Sequence, residues 1–453
     1  MRGILFATLA RGLGRAGTAN PRGGRHSKTL GGGVLFLALL GLVACSPPPP
    51  PAAAEPEVGK WRRARAVAPS AVDQAPEALL TLPYLQGYRR AGAGDGGAVT
   101  LYDQKAAFDG LNLYTSGHAP EARLVDMTGR ELARWRYPLE RFRPELYPSD
   151  EIRRLEYFRR ARLLPGGDLL AIYEGLGLVR LNHRSELVWG YRGGAHHDLD
   201  LTLDGAGVWV LDREAVARPE LFGDGPILED FVTEIDLATG NVKRKISVLR
   251  AFERSRYADL LKALPKKSDL LHTNTLEVLT GTPPVFAAGH LLLSVLELDT
   301  VAVLDPTSES IVWAQRGPYR KQHQPTLLPS GRILVFDNRG LLPADLSRVF
   351  EFDPRNGELG WSYGGGNTDF FSRTLGSVAR LPNGNTLVTE SENGRAFELD
   401  PAGRRVWVFD TPHRTGTEDA LVAVLFEVER IPSNFPYQPS SPMPGSSDGV
   451  RSR

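Results

Sequence analysis

Apolar positions along this chain recur in a short pattern, in which two apolar runs flank a polar turn that contains glycine. The runs are short and rich in leucine, valine and isoleucine, and each turn carries glycine, often with proline or asparagine. This pattern predicts pairs of β-strands that meet at tight connections. The four copies are Ala161–Tyr173 (ARLLPGGDLLAIY), Leu201–Asp212 (LTLDGAGVWVLD), Thr326–Phe336 (TLLPSGRILVF) and Ala379–Val388 (ARLPNGNTLV).

A second unit, with an acidic residue, a turn and an apolar end, occurs six times. Repeats spaced by roughly 40–50 residues are typical of propeller blades. We therefore predict an all-β, six-bladed β-propeller with short helical insertions over residues 78–431. The six copies are Val125–Tyr137, Leu181–Tyr191, Glu234–Ile246, Val303–Gln315, Glu351–Tyr363 and Glu398–Asp410. All but the third carry a tryptophan at nearly the same place, namely Trp135, Trp189, Trp313, Trp361 and Trp407.

Two charged insertions interrupt the repeat. In the first, Leu139–Arg160, a helix is predicted over Ser149–Arg160, because Ser149 can cap it and acidic residues follow. In the second, Ser247–Ser268, the spacing of leucines predicts an amphipathic helix. Each insertion is either a lid or a cover for an exposed blade edge. A closing strand is predicted within Ala420–Val428.

Three histidines fall on the same phase of the repeat. His323 lies eight residues before the turn glycine Gly331, and His197 lies eight residues before Gly205. His272 opens a similar strand, HTNTLEVL. Equivalent positions in successive blades lie on one ring about the propeller axis. The sequence therefore predicts that the three imidazoles face one another at the hub.

A ring of imidazoles is compatible with more than one chemistry, because histidine can act as nucleophile, proton carrier or metal ligand. A nucleophilic histidine needs neighbours that neutralise a transferred anion and protonate its leaving oxygen. A metal site needs three or four converging ligands. The run His196-His197-Asp198 could serve either purpose, so the residues alone leave both open.

Charge and cysteine content narrow the functional classes. Lys and Arg number 54 against 53 Asp and Glu, so there is no basic excess and nucleic acid is not predicted as a partner. The single cysteine excludes a disulfide within the chain.

Residues 1–45 are predicted to be a lipoprotein signal peptide. Basic residues precede the apolar run Val34–Val43, which is too short for a stable membrane helix and ends in Leu42–Cys45 (LVAC). This end resembles the bacterial lipobox, with Cys45 as the lipidated residue. The alternative is an ordinary export signal with an incidental cysteine. Residues 46–77 are predicted to be a Pro/Ala-rich linker and residues 432–453 a disordered Pro/Ser-rich tail.

The predicted location is the cell envelope, with a lipid anchor as the only contact with the membrane. Serine rather than aspartate follows Cys45, and by resemblance to lipoprotein sorting this favours the outer membrane. The domain would then face the periplasm or the cell surface.

Four motifs carry a resemblance to a known family. HHDLDLTLDG, HTNTLEVL and QHQPTLLPSGRILVFDN, followed by ARLPNGNTLV, resemble the bacterial arylsulfotransferases, over about Leu101 to Val428. The resemblance implies an exported six-bladed propeller that moves a sulfuryl group from an aryl sulfate donor to a phenolic acceptor without a nucleotide. It also implies that the transfer uses no cofactor and no metal.

The same resemblance suggests roles for individual residues. His323 matches the histidine that becomes sulfated, whereas His197 and His272 match those that bind sulfuryl oxygens and assist proton transfer. The residues assigned to substrate binding are His196, Asn274, Asn338 and Arg339.

One expected residue is missing. The family has an arginine at the end of the strand after HxN, and here that position is Leu296. Arg320 and Arg339 are candidate substitutes. Because an arginine can contribute several kcal/mol to an anionic transition state, its loss favours an alternative, a non-catalytic envelope lipoprotein whose propeller binds or scaffolds. A third possibility is a metal-dependent hydrolase or lyase that uses the same histidines as ligands.

Overall fold

The computed structural model describes residues 60–63, 98–146, 155–222, 226–265, 267–338, 346–365, 370–415 and 421–437. The predicted signal peptide with Cys45, most of the linker and Arg339 lie outside these residues. Within the described ranges, every helix is too short or too polar to cross a membrane.

The described residues form short strands with few helical turns. The strands are β1 (Trp61–Arg63), β2 (Val99–Tyr102), β3 (Leu111–Ser116), β4 (Glu121–Val125), β5 (Glu131–Arg136), β6 (Phe158–Leu163), β7 (Leu169–Tyr173), β8 (Gly177–Leu181), β9 (Leu187–Tyr191), β10 (Leu199–Leu201), β11 (Gly207–Ala217), β12 (Pro226–Asp236), β13 (Val242–Ser247), β14 (Thr273–Val278), β15 (Leu291–Val295), β16 (Thr300–Asp305), β17 (Ser310–Arg316), β18 (His323–Leu327), β19 (Ile333–Asp337), β20 (Arg348–Phe352), β21 (Leu359–Gly364), β22 (Ser377–Arg380), β23 (Thr386–Glu390), β24 (Arg395–Leu399), β25 (Arg405–Asp410), β26 (Arg414–Thr415), β27 (Leu421–Ala423) and β28 (Leu425–Ile431). The α-helices are α1 (Leu139–Phe142), α2 (Pro219–Phe222) and α3 (Val248–Glu253), and the 3-10 turns are Pro144–Leu146, Ala258–Ala263, Leu296–Leu298 and Ser391–Asn393.

Six antiparallel sheets make up the blades, which confirms the predicted six-bladed all-β propeller. The sheets from blade 2 to blade 6 follow the chain, as β6 to β9, β10 to β13, β14 to β17, β18 to β21 and β22 to β25. Blade 1 takes its inner strand from the far end of the chain, in the order β28-β3-β4-β5. β2 pairs with the outer strand of blade 6. The two ends of the chain therefore interlock and close the ring.

The repeated tryptophans join adjacent blades. In four of the five tryptophans, the indole N–H donates a hydrogen bond to a carbonyl of the next blade. Burial of the ring between blades also removes a large apolar surface from water. The bonds are Trp135 to Gly167 at 3.1 Å, Trp189 to Leu237 at 2.9 Å, Trp313 to Pro354 at 3.2 Å and Trp407 to Met127 at 3.0 Å.

Blade 3, which lacks the tryptophan, makes the same link with an arginine. Arg244 pairs with Glu234 just before a β-bulge, as Trp407 pairs with Glu398 in blade 6. Its guanidinium donates to the carbonyl of Pro306 in blade 4 at 3.2 Å. A long cation with several donors therefore replaces the indole N–H at this position.

Apolar side chains from neighbouring blades pack together, so the core is a series of layers between blades. One layer combines Leu170 and Ile172 of blade 2 with Val208 and Val210 of blade 3. These strands alternate as expected for sheets with both faces covered. The packing holds the inner strands at fixed positions around the axis.

The helix predicted over Ser149–Arg160 is wrong for its last residues. Phe158 and Arg160 pair with Tyr173 and Ile172 in the first hairpin of blade 2. Phe158 is buried, and a strand places it against the core, which outweighs the helix-start signal at Ser149. Residues 147–154 lie outside the described part of the chain.

The second insertion is helical as predicted, in α3 and the 3-10 turn at Ala258–Ala263. The Ser247 hydroxyl caps α3 by accepting from the Arg250 N–H at 3.0 Å. Leu249 and Phe252 are buried in the core between blades 3 and 4. This insertion therefore covers a blade edge and is not a lid.

The ends of the fold differ from the prediction. The expected closing strand is two strands, β27 in a small sheet with β1 and β26, and β28 in blade 1. β1 lies before residue 78, where the domain was expected to begin. Phe435 and Tyr437 pack against the core of the first two blades, so residues 432–437 belong to the fold and not to a disordered tail.

Candidate functional site

The three predicted histidines stand where inner strands begin. His323 is the first residue of β18, His272 directly precedes β14, and His197 lies two residues before β10. His197 and His272 both have left-handed backbones, with φ of 54° and 50°. Such conformations cost non-glycine residues on the order of 1–3 kcal/mol and are typical of functional sites. The repeat phase therefore sets the three histidines at the starts of inner strands, and two of them carry backbone strain.

His197 and His323 line one small cavity at the hub. His272 joins these two histidines by contacting His197: the ring centroids of His197 and His272 are 4.9 Å apart in an edge-to-face arrangement. The cavity has a volume of about 10 Å³, which is room for roughly one water molecule. Its walls are Arg159, Arg160, His197, Asp198, Asn274, Thr275, His323, Gln324, Gly376, Ser377 and Phe426.

The hydrogen bonds of His323 define its tautomer. Its Nδ1 lies 2.7 Å from Asn338 Oδ1 and 3.1 Å from the carbonyl of Lys321. The amide nitrogen of Asn338 donates to the carbonyls of Ser372 and Leu375 at 2.8 and 2.6 Å, which fixes its orientation. Both neighbours of Nδ1 are therefore acceptors, so Nδ1 carries the proton. The Nε2 atom of His323 keeps its lone pair.

Burial keeps the imidazoles of His197 and His323 neutral. Desolvation lowers the pKa of His323 to about 3, and the charges of Arg159 and His272 act in the same direction. Desolvation, with Arg159 and His272, also holds the pKa of His197 well below its usual value. Neutral imidazole is the form of histidine that can act as nucleophile or base.

His196 stands behind His197, away from the cavity. Their Nδ1 atoms are 2.8 Å apart, and Glu174 Oε1 lies 3.3 Å from Nδ1 of His197. The Nε2 atom of His196 is buried without a hydrogen-bond partner, 3.8 Å from Asp230. His196 therefore supports His197 from outside the cavity, and its contact with substrate stays a prediction.

The ligand atoms of Glu174, His196 and His197 lie within 4.8 Å of one another. Two imidazoles and one carboxylate form a donor set that zinc accepts. This part of the site could therefore hold a metal ion, so the geometry is compatible with the alternative of a metal-dependent hydrolase or lyase.

His272 forms a pair with a carboxylate. Its Nδ1 lies 2.5 Å from Asp269 Oδ2, and its side chain is 27% exposed. Burial alone would raise the pKa of Asp269, but the hydrogen bond and charge of His272 lower it below the usual value. Because the carboxylate orients Nδ1, the Nε2 atom of His272 is available to carry a proton.

Arg159 is the residue that sequence reasoning missed. It lies eight residues before the turn glycine Gly167, the same spacing that His197 and His323 have from their turn glycines. Applying this spacing to every residue type, and not only to histidine, would have found it. Its guanidinium stacks on Phe426 at 5.0 Å and lies 3.6 Å from Glu174. The cavity therefore has a cation on its wall that is only loosely paired with an acid.

The neighbouring Arg160 has a structural role. It contacts Asp198 at 3.0 Å and Glu427 at 2.5 Å. Asp198 also accepts the backbone N–H of Leu276 in blade 4 at 3.0 Å. These contacts join blades 1 to 4 just below the histidines.

Three polar residues considered in the sequence analysis already contact other protein groups. Asn274 lines the cavity, but its amide donates to the Gln322 carbonyl at 2.9 Å and so links blade 4 to blade 5. Asn338, expected to bind substrate, has both ends of its amide engaged by protein groups. Arg320 cannot replace the arginine missing at Leu296, because it pairs with Asp299 at 2.9 Å and its side chain is 57% exposed.

The fold and the site together define a six-bladed propeller with a histidine-lined hub. The model of the Arylsulfotransferase (ASST) family matches residues 160–412, more than half of the chain. The chain therefore belongs to the arylsulfotransferase family. No curated protein matches this sequence.

Solved structures resemble the chain at low identity. One is a protein of unknown function from Bacteroides caccae, at 10% identity over 70% of this chain and 99% of that chain, with a TM-score of 0.43. Another is the β-propeller domain of Cps50 (Swd1) from Myceliophteria thermophila, at 13% identity over 70% and 93% of the two chains, with a TM-score of 0.41. A third, Kuenenia stuttgartiensis hydrazine synthase, is 11% identical over 62% and 70%, with a TM-score of 0.40. At these scores no conclusion about function follows.

Proposed function

We propose that this protein transfers a sulfuryl group from an aryl sulfate to a phenol through a sulfohistidine at His323. Support comes from the family and from the tautomer of His323. Its Nδ1 proton is held by two acceptors, its ring is neutral, and its Nε2 lone pair remains for attack on sulfur.

In the first half-reaction, Nε2 of His323 attacks the sulfur and the bond from sulfur to the aryl oxygen breaks. The imidazole becomes cationic, and the acceptors at Nδ1, Asn338 and the Lys321 carbonyl, stabilise that charge. The departing phenolate takes a proton from His272, whose Nδ1 pairs with Asp269, because His197 is held neutral. A phenol and an N-sulfo histidine result.

In the second half-reaction, the acceptor phenol gives its proton back to the same histidine and its oxygen attacks the sulfur. The N–S bond breaks, and its electron pair returns to Nε2 of His323. Oxidation states do not change, so no electron carrier is needed. The scheme predicts ping-pong kinetics.

The negative charge of the sulfuryl group needs a cation nearby. We assign this task to Arg159, because it lines the cavity and its charge already acts on His323 and His197. Charge-assisted hydrogen bonds from a guanidinium to an oxyanion are among the strongest in proteins. Arg159 would thus replace the arginine expected at Leu296.

The observation that carries the proposal is the pair of acceptors at Nδ1 of His323, Asn338 Oδ1 and the Lys321 carbonyl, which together assign the proton to Nδ1. The test uses purified protein, a chromogenic aryl sulfate and a phenol, with His323→Asn and the matched control His183→Asn. We expect wild type and the control to release phenol and to gain one sulfuryl group by mass spectrometry on the His323 peptide. His323→Asn should do neither, and undiminished turnover in that variant would refute the proposal.

The cavity volume favours a second candidate, a non-catalytic binding module. A space for about one water molecule does not admit a sulfuryl group unless side chains move. On this view the hub performs no turnover, and the propeller serves as a binding or scaffolding module. Wild-type protein that neither binds an aryl sulfate by calorimetry nor releases phenol or gains a sulfated histidine would support it.

We also propose that Cys45 is lipidated and anchors the protein to the envelope, most simply at the outer membrane. Support comes only from the LVAC sequence at the end of the apolar run. Labelled fatty acid should be incorporated into wild type and not into Cys45→Ser. A wild-type protein without label would leave the ordinary export signal as the explanation, and equal labelling of both would place the lipid elsewhere than Cys45.

A further inference from the structure

A second histidine cluster lies where the first and last blades meet. His118 follows β3 and Glu121 begins β4, both in blade 1, whereas His413 follows β25 of blade 6. One ligand atom from each residue lies within 4.8 Å of those of the other two. The two imidazoles are stacked, with centroids 3.3 Å apart and planes at 9°.

Each histidine presents one nitrogen to this cluster. Nδ1 of His118 lies 2.6 Å from the Ser116 hydroxyl, and its Nε2 lies 2.7 Å from Oε1 of Glu121. The Nε2 atom of His413 is buried without a hydrogen-bond partner. A buried polar atom without a partner destabilises the fold, so a ligand at this position would relieve that penalty.

We propose that His118, Glu121 and His413 bind a zinc ion. Two imidazoles and a carboxylate are a known donor set for zinc, which leaves a fourth position for water. The Ser116 hydroxyl supplies the outer contact that orients a ligating histidine, so that His118 binds through Nε2. His413 binds through the nitrogen that otherwise has no partner.

The geometry sets two conditions on binding. Ligand atoms around tetrahedral zinc are roughly 3.3 Å apart for bonds of about 2.0–2.1 Å, so the three ligand atoms, now within 4.8 Å of one another, must adjust to that spacing. Lone pairs of parallel imidazoles do not converge, so one ring must tilt out of the stack. Both changes are side-chain rotations that leave the strands in place.

Arg123 is the main opposing charge at this site. Its Nε contacts Oε1 of Glu121 at 2.6 Å. The contacts with Arg123 and His118 both use Oε1, which leaves Oε2 of Glu121 to bind the metal. Arg123 can then stay on Oε1 as an outer contact.

A metal at this position would link the two blades that close the ring. Closure otherwise depends on β28 and β2, the strands exchanged between the chain ends. A ligand that binds only the folded state stabilises it by mass action. Zinc is therefore expected to raise the melting temperature of the full chain.

The test treats the purified full chain with a chelator, removes the chelator and titrates Zn²⁺ by calorimetry. It compares wild type with His413→Ala, Glu121→Gln and His183→Ala, the last being the control outside the cluster. Wild type and the control should bind one more equivalent of zinc than His413→Ala and Glu121→Gln. Wild type and His183→Ala should also show a rise in melting temperature when this additional zinc binds, and the other two variants should not.

Comparing wild type with His413→Ala also distinguishes zinc bound at this cluster from zinc bound by Glu174, His196 and His197. Zinc bound there would remain in His413→Ala, because that variant leaves the hub unchanged. His413→Ala loses no hydrogen bond from Nε2, so its metal-free fold should survive. Equal stoichiometry and affinity in wild type and His413→Ala would overturn the proposal.

Discussion

Replacing Arg159 with methionine tests how the hub handles the anionic group. Methionine keeps much of the length and the apolar stem but removes the charge. If the guanidinium makes one charge-assisted contact in the transition state, its loss costs about 1.5–3 kcal/mol. That corresponds to a fall of about 10- to 150-fold in kcat/KM.

The same change should alter the pH profile. Burial is the main cause of the low pKa of His323, about 3, and the charge of Arg159 lowers it further. A positive neighbour disfavours the protonated ring, so its removal raises the pKa. The acid limb of the profile of Arg159→Met should therefore move to higher pH, while desolvation keeps it below that of a free histidine.

The assay is phenol release from a chromogenic aryl sulfate, measured as kcat/KM across pH. Arg159→Lys serves as the conservative variant and should retain the acid limb of wild type, because it keeps the charge. Arg184→Met, in an exposed turn of blade 2, controls for arginine loss. Wild-type kcat/KM and an unmoved acid limb in Arg159→Met would show that the charge does not act on the reacting group.

Three further outcomes are expected. Asn338→Leu should lower kcat at least about tenfold, because the Nδ1 proton of His323 then keeps only the 3.1 Å contact with the Lys321 carbonyl. Asn338→Asp, which keeps an acceptor, should retain more activity. Burial, with the Asp200 carboxylate, raises the pKa of Glu277 from 4.5 to about 8, so the folded state holds a proton that the unfolded chain releases, and stability falls as pH rises through this window. Glu277→Gln should accordingly melt above wild type at pH 8 and near it at pH 4.5, and the reverse order would contradict this sign. Trp135→Phe should lower the free energy of unfolding by about 0.5–1.5 kcal/mol, the value of one hydrogen bond, in denaturant titrations.

The parts of the site that follow from repeat phase could be predicted. His197 and His323 occupy one ring position because they precede their turns by the same count. Arg159 obeys the same rule and was missed because the count was applied only to histidines. In the last blade the position is Gly376, where the ring of Phe336 would lie 2.5 Å from an added Cβ.

Other features depend on contacts that no local pattern records. The tautomer of His323 follows from Asn338, whose amide is oriented by carbonyls of the next blade. The meeting of His118 with His413 follows from ring closure, which joins distant parts of the chain. Phe158 lies in a strand and not in the predicted helix, because pairing with Tyr173 buries its side chain. This is a tertiary effect that local propensity does not include.

The hub geometry explains how an arginine could be lost from one blade and replaced from another. The inner strands of a propeller converge on one axis, so a group held there is within reach of every blade at that height. Leu296 follows the second strand of blade 4 and donates its N–H to the carbonyl of His272, whereas Arg159 enters from blade 2. A cation from either side can face the same anion, since the attraction depends on distance and dielectric and not on chain position. A leucine at position 296 therefore does not exclude catalysis in this fold. The decisive measurement is the effect on kcat/KM of removing the charge of Arg159.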